Sequence, residues 1–479
     1  MDLRNYFIKE DVSTYIKADA KLERGLGVRD LIALGVGAVI GTGIFILPGH
    51  EAANHAGPAV TIAFVIAAVV SGMAGMAYAE MSSAMPVAGS AYSFGSVIYG
   101  EIIGFLLGWS LILEYFLASA AIATGFSAYF NNNLLSSINI HLPNALLSGP
   151  GNPENPGGVI NITAVLIVLI VGLIISRGLN AFKRIENFSV VIKVAIIMLF
   201  IIIGFFFIKT DNYIPFYPKE FRTGLLGTGG IAAAAASVFF AFIGFDTLAA
   251  HSAEVKNPGK NMFRGILGTV LVSGLLYVLF AFVMVGIVPY PDLGVDDPAA
   301  YVLQAVGHPG WAKIITVGAL VGMFSAILSI TAGASRLIYS IGRDGLLPKK
   351  LGDINSNGAP QTSVVVTIIV IAIFAGLVPL DELAHLVNAG TLIAFITMSF
   401  GIISLRRRKD IINTGFKMPG YPVLPIISGI LPAYFLWQLP DQAKLWTLAW
   451  ITAGIICYVL YGYSHSNLQK RIQNNKSPK

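Results

Sequence analysis

About twelve runs of apolar residues, each close to the ~20 residues a helix needs to cross a bilayer, follow one another along this chain. They lie near residues 30–55, 57–84, 99–130, 159–178, 187–208, 227–254, 263–288, 311–342, 363–380, 382–406, 423–439 and 445–465. Hydrocarbon offers no partner to a backbone amide or carbonyl, so a segment inside it folds as a helix or joins a closed barrel. Runs of this length predict helices, and the chain is expected to be an all-α integral membrane protein. With 55% hydrophobic and 12% charged residues and a mean hydropathy of +0.75, it cannot cover itself with polar surface as a soluble globule does.

The basic residues orient these spans. With the N-terminus cytoplasmic, 25 of the 31 lysines and arginines fall on that side, leaving Lys209, Lys219, Arg222, Lys313 and Lys444 opposite and Lys193 inside a span. Such a split predicts an even number of spans with both termini cytoplasmic in the plasma membrane. A sequence pI near 9.1 is then explained by the membrane's inner surface rather than by nucleic acid. The first thirty residues lack the apolar core and cleavage site of a signal peptide. One cysteine, Cys457, excludes an internal disulfide framework. Residues 131–158 contain no basic residue and many Asn, Pro and Gly, which predicts an external loop. The uncharged stretch 86–94, on the inner side, reads as a re-entrant or amphipathic segment at an inner gate, or as an ordered turn.

Two spans are interrupted. In the first, Gly41-Thr42-Gly43 divides the apolar segment from Val36 to Pro48. Closely spaced glycines let the backbone leave the α region, and a helix restarting there would offer free amides to an anion such as a carboxylate. The same residues also suit a close-packing face between helices. In the sixth, Gly244 and Asp246 interrupt the run from Phe239. Five spans separate the two breaks, and the third and eighth spans are both unusually long. The pattern predicts two five-helix halves of opposite sense, residues 30–208 and 227–408, with two peripheral helices over 423–465 and tails at 1–29 and 466–479. The tails, 1–25 and 466–479 in particular, read as flexible. The breaks are chemically complementary: amides after Gly41 suit a carboxylate, whereas carbonyls near Phe240 to Ile243, and that of Val39, suit an ammonium group. A ligand with both is an α-amino acid.

Ile40-Gly-Thr-Gly-Ile-Phe45, Phe242-Ile-Gly-Phe-Asp246 followed by Glu254-Val-Lys-Asn-Pro258, and the segment Ser335 to Pro348 resemble the amino acid–polyamine–organocation superfamily. Pro86 to Tyr92 and Gly108 to Tyr115 resemble bacterial relatives of the cationic amino acid transporters. The resemblance implies ten core helices with two peripheral ones, alternating access, and proton-linked or exchange transport of amino acids. It places carboxylate binding on Gly41, Thr42 and Gly43, with Ile40 at the motif's start. It places ammonium binding on the carbonyls of Val39, Phe240 and Ile243, and an aromatic gate on Phe240.

Charges inside spans are costly unless paired or used. Lys193 lies about 9 Å into the fifth span by helical rise. From physics it either snorkels or functions; the resemblance matches it to a lysine that replaces a sodium ion and couples protons to transport, which implies no sodium requirement. Glu114, midway along the third span, either pairs with polar backbone or faces the pocket, where it holds a cationic side chain or a proton. Asp246 is a gating residue or a local cap. His251 and Glu254 read as interfacial. Selectivity is expected from Glu114, Ser329, Ile330, Thr391 and Ile393, with Ser329 and Ala332 small enough to deepen the pocket.

No zinc-protease, phosphate-loop or nucleophile motif is present, so neither an enzyme nor a nucleotide-driven pump is indicated. Few charges in the spans count against a channel. The expected protein is a sodium-independent, proton-coupled carrier of neutral or cationic α-amino acids, working as a monomer without cofactor or metal, any accessory subunit being left open. An obligate exchanger and a membrane amino acid sensor are the alternatives.

Overall fold

The computed structural model describes residues 6–19, 24–152, 155–176, 179–223, 227, 229–353 and 360–476. Among the basic residues counted above, Arg4, Lys21, Arg177 and Lys479 lie outside them. The regular structure among the described residues is all helical, with one isolated bridge, Leu26 to Val255, and no strand. Span 1 runs Val28–Val39 and restarts as Thr42–Phe45 and Leu47–Glu51; spans 2 to 5 are Val60–Ala84, Glu101–Tyr129, Ile162–Ser176 and Leu179–Phe205. Span 6 is Gly229–Val238, a tighter turn Phe239–Phe242, and Thr247–Ala250. Spans 7 to 12 are Pro258–Ile287, Pro309–Arg343, Gln361–Leu377, Leu380–Arg407, Val423–Gln438 and Asp441–Cys457. Both expected breaks are therefore real, and spans 3 and 8 are long as expected.

Helices in a bilayer gain little from burying apolar surface against one another, so close backbone approach at small residues holds them together. Span 1 lays Leu31 and Ile32 against Gly265 and Gly268 of span 7. Span 2 meets the same helix through Gly75 against Ile266 and Ala68 against Gly274. Gly318 of span 8 receives Ile196 of span 5. The peripheral pair packs outside this core: Phe400 lies on Gly429 of span 11, and Trp109 of span 3 stacks on Trp450 of span 12 with centroids 4.7 Å apart. Each of those two indoles donates to the other residue's carbonyl at 2.9 Å.

The two termini lie on one face, here called the tail face, because Arg471 Nη2 reaches Glu10 Oε2 at 2.5 Å. The opposite, loop face carries the 131–158 connection, where the Asn133 side-chain amide donates to Asp297 and the Gln304 amide donates to Asn133. Partial burial there holds the Asp297 carboxyl above the usual range.

On the tail face one alternative left open is narrowed and one expectation changes. The uncharged 86–94 stretch leads into a helix, Ser90–Ile98, every residue of which is buried. The described parts of both tails are ordered rather than free. Val12–Asp19 and Asn467–Lys476 are helical, and Tyr6, Glu10 and Tyr15 are buried. The physical reason is a set of long-range polar contacts: Glu101 of span 3 accepts from Tyr458, Ser466 and Gln469, and its amide donates to the Ile8 carbonyl.

Candidate functional site

The two breaks face each other at mid-span. The inner half of span 1 ends when Ile40 turns to extended backbone, and the next half starts at Thr42. The first amides of that half have no acceptor within the helix. Thr42 is 1% exposed and its hydroxyl has no hydrogen-bond partner, so a buried donor lies unused beside those amides, a costly arrangement unless a ligand uses it. In span 6 the chain extends at Ile243 and reverses at Gly244, whose φ of +115° is open to glycine at little cost.

The breaks touch. A Cβ placed on Gly43 would lie 2.6 Å from Ala241 Cα, so the glycine is needed for contact between the two unwound segments. Of the two alternatives left open for this stretch, close packing is therefore present at Gly43, and it does not exclude the amide cradle. Gly41 faces Ile122 of span 3 and Ala326 of span 8 at 3.2 and 3.4 Å from an ideal Cβ. Val39, Ile40, Gly41, Thr42, Gly43, Phe240 and Ile243 are all buried. The carbonyls are partly engaged already: Tyr277 of span 7 donates to Val39 O at 3.0 Å and the Ile243 amide to Phe240 O at 3.2 Å. A carbonyl has two lone pairs, so one hydrogen bond does not exhaust either of them.

Lys193 is 0% exposed, which removes the snorkelling alternative. Its Nζ donates to the Gly37 carbonyl in the last turn of the inner half of span 1. Its stem packs against Gly322 of span 8, 3.3 Å from an ideal Cβ there. One side chain thus links spans 5, 1 and 8 directly beside the break.

Glu114 and Asp246 come together away from the cradle. The residue of span 3 that meets Gly41 is Ile122; Glu114 lies eight residues earlier, roughly 12 Å toward the tail face by helical rise. Its neighbours are Asp246 and Thr391, and Tyr115 donates to Asp246 Oδ2 at 2.8 Å. On span 8, Ala326 is nearest the cradle and Ser329 follows one turn on, half-buried. Ile330 and Thr391 are buried and Ile393 half-buried. His251 Nδ1 and Glu254 Oε1 lie 3.4 Å apart at the tail face, both partly exposed.

Residues that carried no sequence signal tie the two broken spans together. Glu51, 2% exposed at the end of the outer half of span 1, accepts from Ser237 at 2.6 Å and lies 2.8 Å from His55 Nδ1. Ser237 closes the outer half of span 6, so this contact ties the two half-helices that present the amides and the carbonyls. Asn388 of span 10 donates to the Ala236 and Ser237 carbonyls at 2.9 and 3.2 Å. A glutamate near a span end and a serine in an alanine run look like ordinary interfacial and packing residues until the fold joins them. A groove of about 580 Å³ on the tail face, lined by Lys260, Arg264, Phe263 and Phe416, involves none of these residues.

Two broken helices that meet inside a bundle of apolar helices, with a buried lysine beside one break, are the architecture of an integral membrane protein. Residues 26–461 match the family described as amino acid permease, and the chain belongs to that family. It is 42% identical to the methylthioribose transporter of Bacillus subtilis over 98% of this chain and all of that protein. It is 43% identical to the branched-chain amino acid permease of Lactococcus lactis over 95% of this chain and 98% of the relative. A vacuolar cationic amino acid transporter of Arabidopsis thaliana is 34% identical over 81% of this chain and 60% of its own length.

Proposed function

We propose that this protein is a sodium-independent, proton-coupled carrier that takes up neutral α-amino acids with apolar side chains by alternating access, with both termini in the cytoplasm of a cell whose plasma membrane it spans. The observation that carries the reading is the unused Thr42 hydroxyl and first-turn amides opposite the spare lone pairs of Val39, Phe240 and Ile243. These suit the carboxylate and ammonium of one zwitterion. Ile40, Gly41 and Gly43 shape the cradle, and Phe240 closes over it as a gate. Ile122 and Ala326 lie beside Gly41 and favour an aliphatic side chain. Ser329, one turn further, lines the deeper end.

Lys193 occupies the position where a cation bridges spans 1, 5 and 8. Its protonated form holds the inner half of span 1 through Gly37, and loss of the proton releases that helix, which links proton and substrate movement. Asp246, first after the span 6 break, gates the inner half of that span.

A second reading, carriage of methylthioribose, is favoured by the 42% identical relative of that name. Uptake of radiolabelled leucine into proteoliposomes, with and without an inward proton gradient or sodium, and challenged by each amino acid and by methylthioribose, separates them. Gradient-driven leucine accumulation blocked by isoleucine and valine is the expected result. Uptake only into amino-acid-loaded vesicles makes it an exchanger, while competition by methylthioribose alone transfers the site to that sugar.

A further inference from the structure

Some lipid must cover the outer face of span 7, and the groove at that span's tail-face end selects which: we infer that it binds the headgroup of an anionic phospholipid, with Lys260 and Arg264 on the phosphodiester. The site depends on membrane embedding alone and not on what the protein carries. Leu271, Leu275 and Phe282 follow Arg264 by 7, 11 and 18 residues, so at 3.6 residues per turn the four share one face. All four are exposed. In a helix of 30 residues that is long and apolar enough to cross a bilayer, such exposed side chains lie against acyl chains.

The groove is held in shape by the connection between spans 10 and 11. Phe416 of that connection stacks on Phe263 with ring centroids 4.0 Å apart, and its amide donates to the Gly259 carbonyl at 2.8 Å. A Cβ on Gly259 would lie 3.0 Å from Gly415 Cα, so the two backbones are in close contact. The connection is itself fixed: the Gly415 amide donates to Asn413 Oδ1 at 2.8 Å, and the Asn413 side-chain amide donates to the Phe416 carbonyl at 2.9 Å. Asn257 and Thr414 complete the lining, which contains no acidic residue. Neighbouring cations are already matched, Arg406 by Glu80 at 2.8 Å and Arg408 by Asp410. Lys260 and Arg264 have no such carboxylate among the described residues. Four residues apart on one helix, they are neighbours and present two positive charges to an outside anion.

Depth selects a lipid over other anions. By helical rise, Lys260 lies about 3 Å and Arg264 about 9 Å past the start of span 7, with Leu271 about 10 Å beyond Arg264. A phosphate held between the two cations therefore places its acyl chains on Leu271 and Leu275. Phe263 and Phe416 stand between, at the boundary of headgroup and hydrocarbon where aromatic rings are favoured. Arg264 offers a phosphate parallel N–H donors, and Lys260 adds a point charge. An acidic peptide or a free anion would leave the apolar stripe uncovered. The bound lipid braces span 7 against the 10–11 connection, next to Gly265, the residue on which Leu31 of span 1 rests.

The test is the melting temperature of the delipidated full-length protein in a neutral detergent, with bound lipid counted by native mass spectrometry. Dioleoyl phosphatidylglycerol, dioleoyl phosphatidylcholine, glycerol 3-phosphate and inorganic phosphate are titrated in turn. Phosphatidylglycerol is expected to raise the melting temperature saturably, with one molecule retained, and the other three to do so far less. Lys260→Gln combined with Arg264→Gln should weaken its apparent affinity at least about tenfold, the scale of two basic residues beside an anionic lipid. Lys256→Gln combined with Lys417→Gln, two exposed lysines outside the lining, should leave that affinity unchanged. Arg264→Gln alone is the reporter should the double variant not fold. Equal stabilisation by phosphatidylcholine overturns the inference and leaves only an apolar contact. Equal stabilisation by glycerol 3-phosphate or inorganic phosphate overturns it in favour of a free-anion site, and equal loss in both double variants overturns it in favour of diffuse surface charge.

Discussion

Gly43 and Lys193 carry the tightest constraints at the scale of single residues. A valine at Gly43 would drive its Cβ into the Ala241 backbone, 2.6 Å away. Overpacking of about 1–3 kcal/mol at a contact between the two binding segments lowers leucine affinity by roughly tenfold to a hundredfold. Equilibrium binding to purified protein checks this, with normal affinity removing the break contact from the site. Lys193→Ala should lose most of the stimulation of uptake by an inward proton gradient. The stimulation is measured as the ratio of initial rates with and without the gradient, and an unchanged ratio in folded protein would leave Lys193 a structural bridge. Both residues stand out in the sequence, because a glycine pair and a lysine are conspicuous in apolar runs. The position of Glu114 is not readable that way. Its depth relative to the cradle depends on Ile122 being the residue of span 3 that meets Gly41, and that register is fixed by packing between helices, not by either helix alone.

In the proposed alternating-access cycle the half-helices are the elements that move, and the ties between them decide which move together. Glu51 and Ser237 join the outer halves of spans 1 and 6, one from each binding segment. Ser237→Ala removes a charge-assisted hydrogen bond of about 1.5–3 kcal/mol. If the closed form needs this tie, apparent leucine affinity weakens about tenfold or more; affinity equal to the unaltered protein would mean that the half-helices close independently. Spans and breaks were readable because a bilayer imposes length and an unbroken run of apolar residues, so any interruption is a signal. The Ser90–Ile98 helix gave no such signal. Uncharged and flanked by Pro86 and Gly100, it suits a turn as well as a helix, and only its burial under span 6 and the tails selects the helix.

Across the whole molecule, polar contacts tie the tails to the spans. Glu101, Tyr458, Ser466 and Gln469 form a buried polar knot that carries the C-terminal helix to the start of span 3. Arg471 then closes over Glu10. Glu101→Ala leaves three donors without their acceptor, each costing about 1–3 kcal/mol. The melting temperature should therefore fall clearly, whereas Arg471→Ala, which breaks a half-exposed ion pair worth about 1 kcal/mol or less, should move it little. Equal shifts would place the hold of the tails elsewhere. Residues more than 350 positions apart make these contacts, so composition alone reads the tails as loose. The central claim is that two opposed helix breaks hold a zwitterion. Its most direct test is competition against labelled leucine on the purified protein by leucinamide, which lacks the carboxylate, and by 4-methylpentanoate, which lacks the ammonium. The account predicts that each loses at least about a hundredfold in affinity relative to leucine, the scale of one buried charged partner left unmatched. Leucine-like competition by either analogue would contradict it.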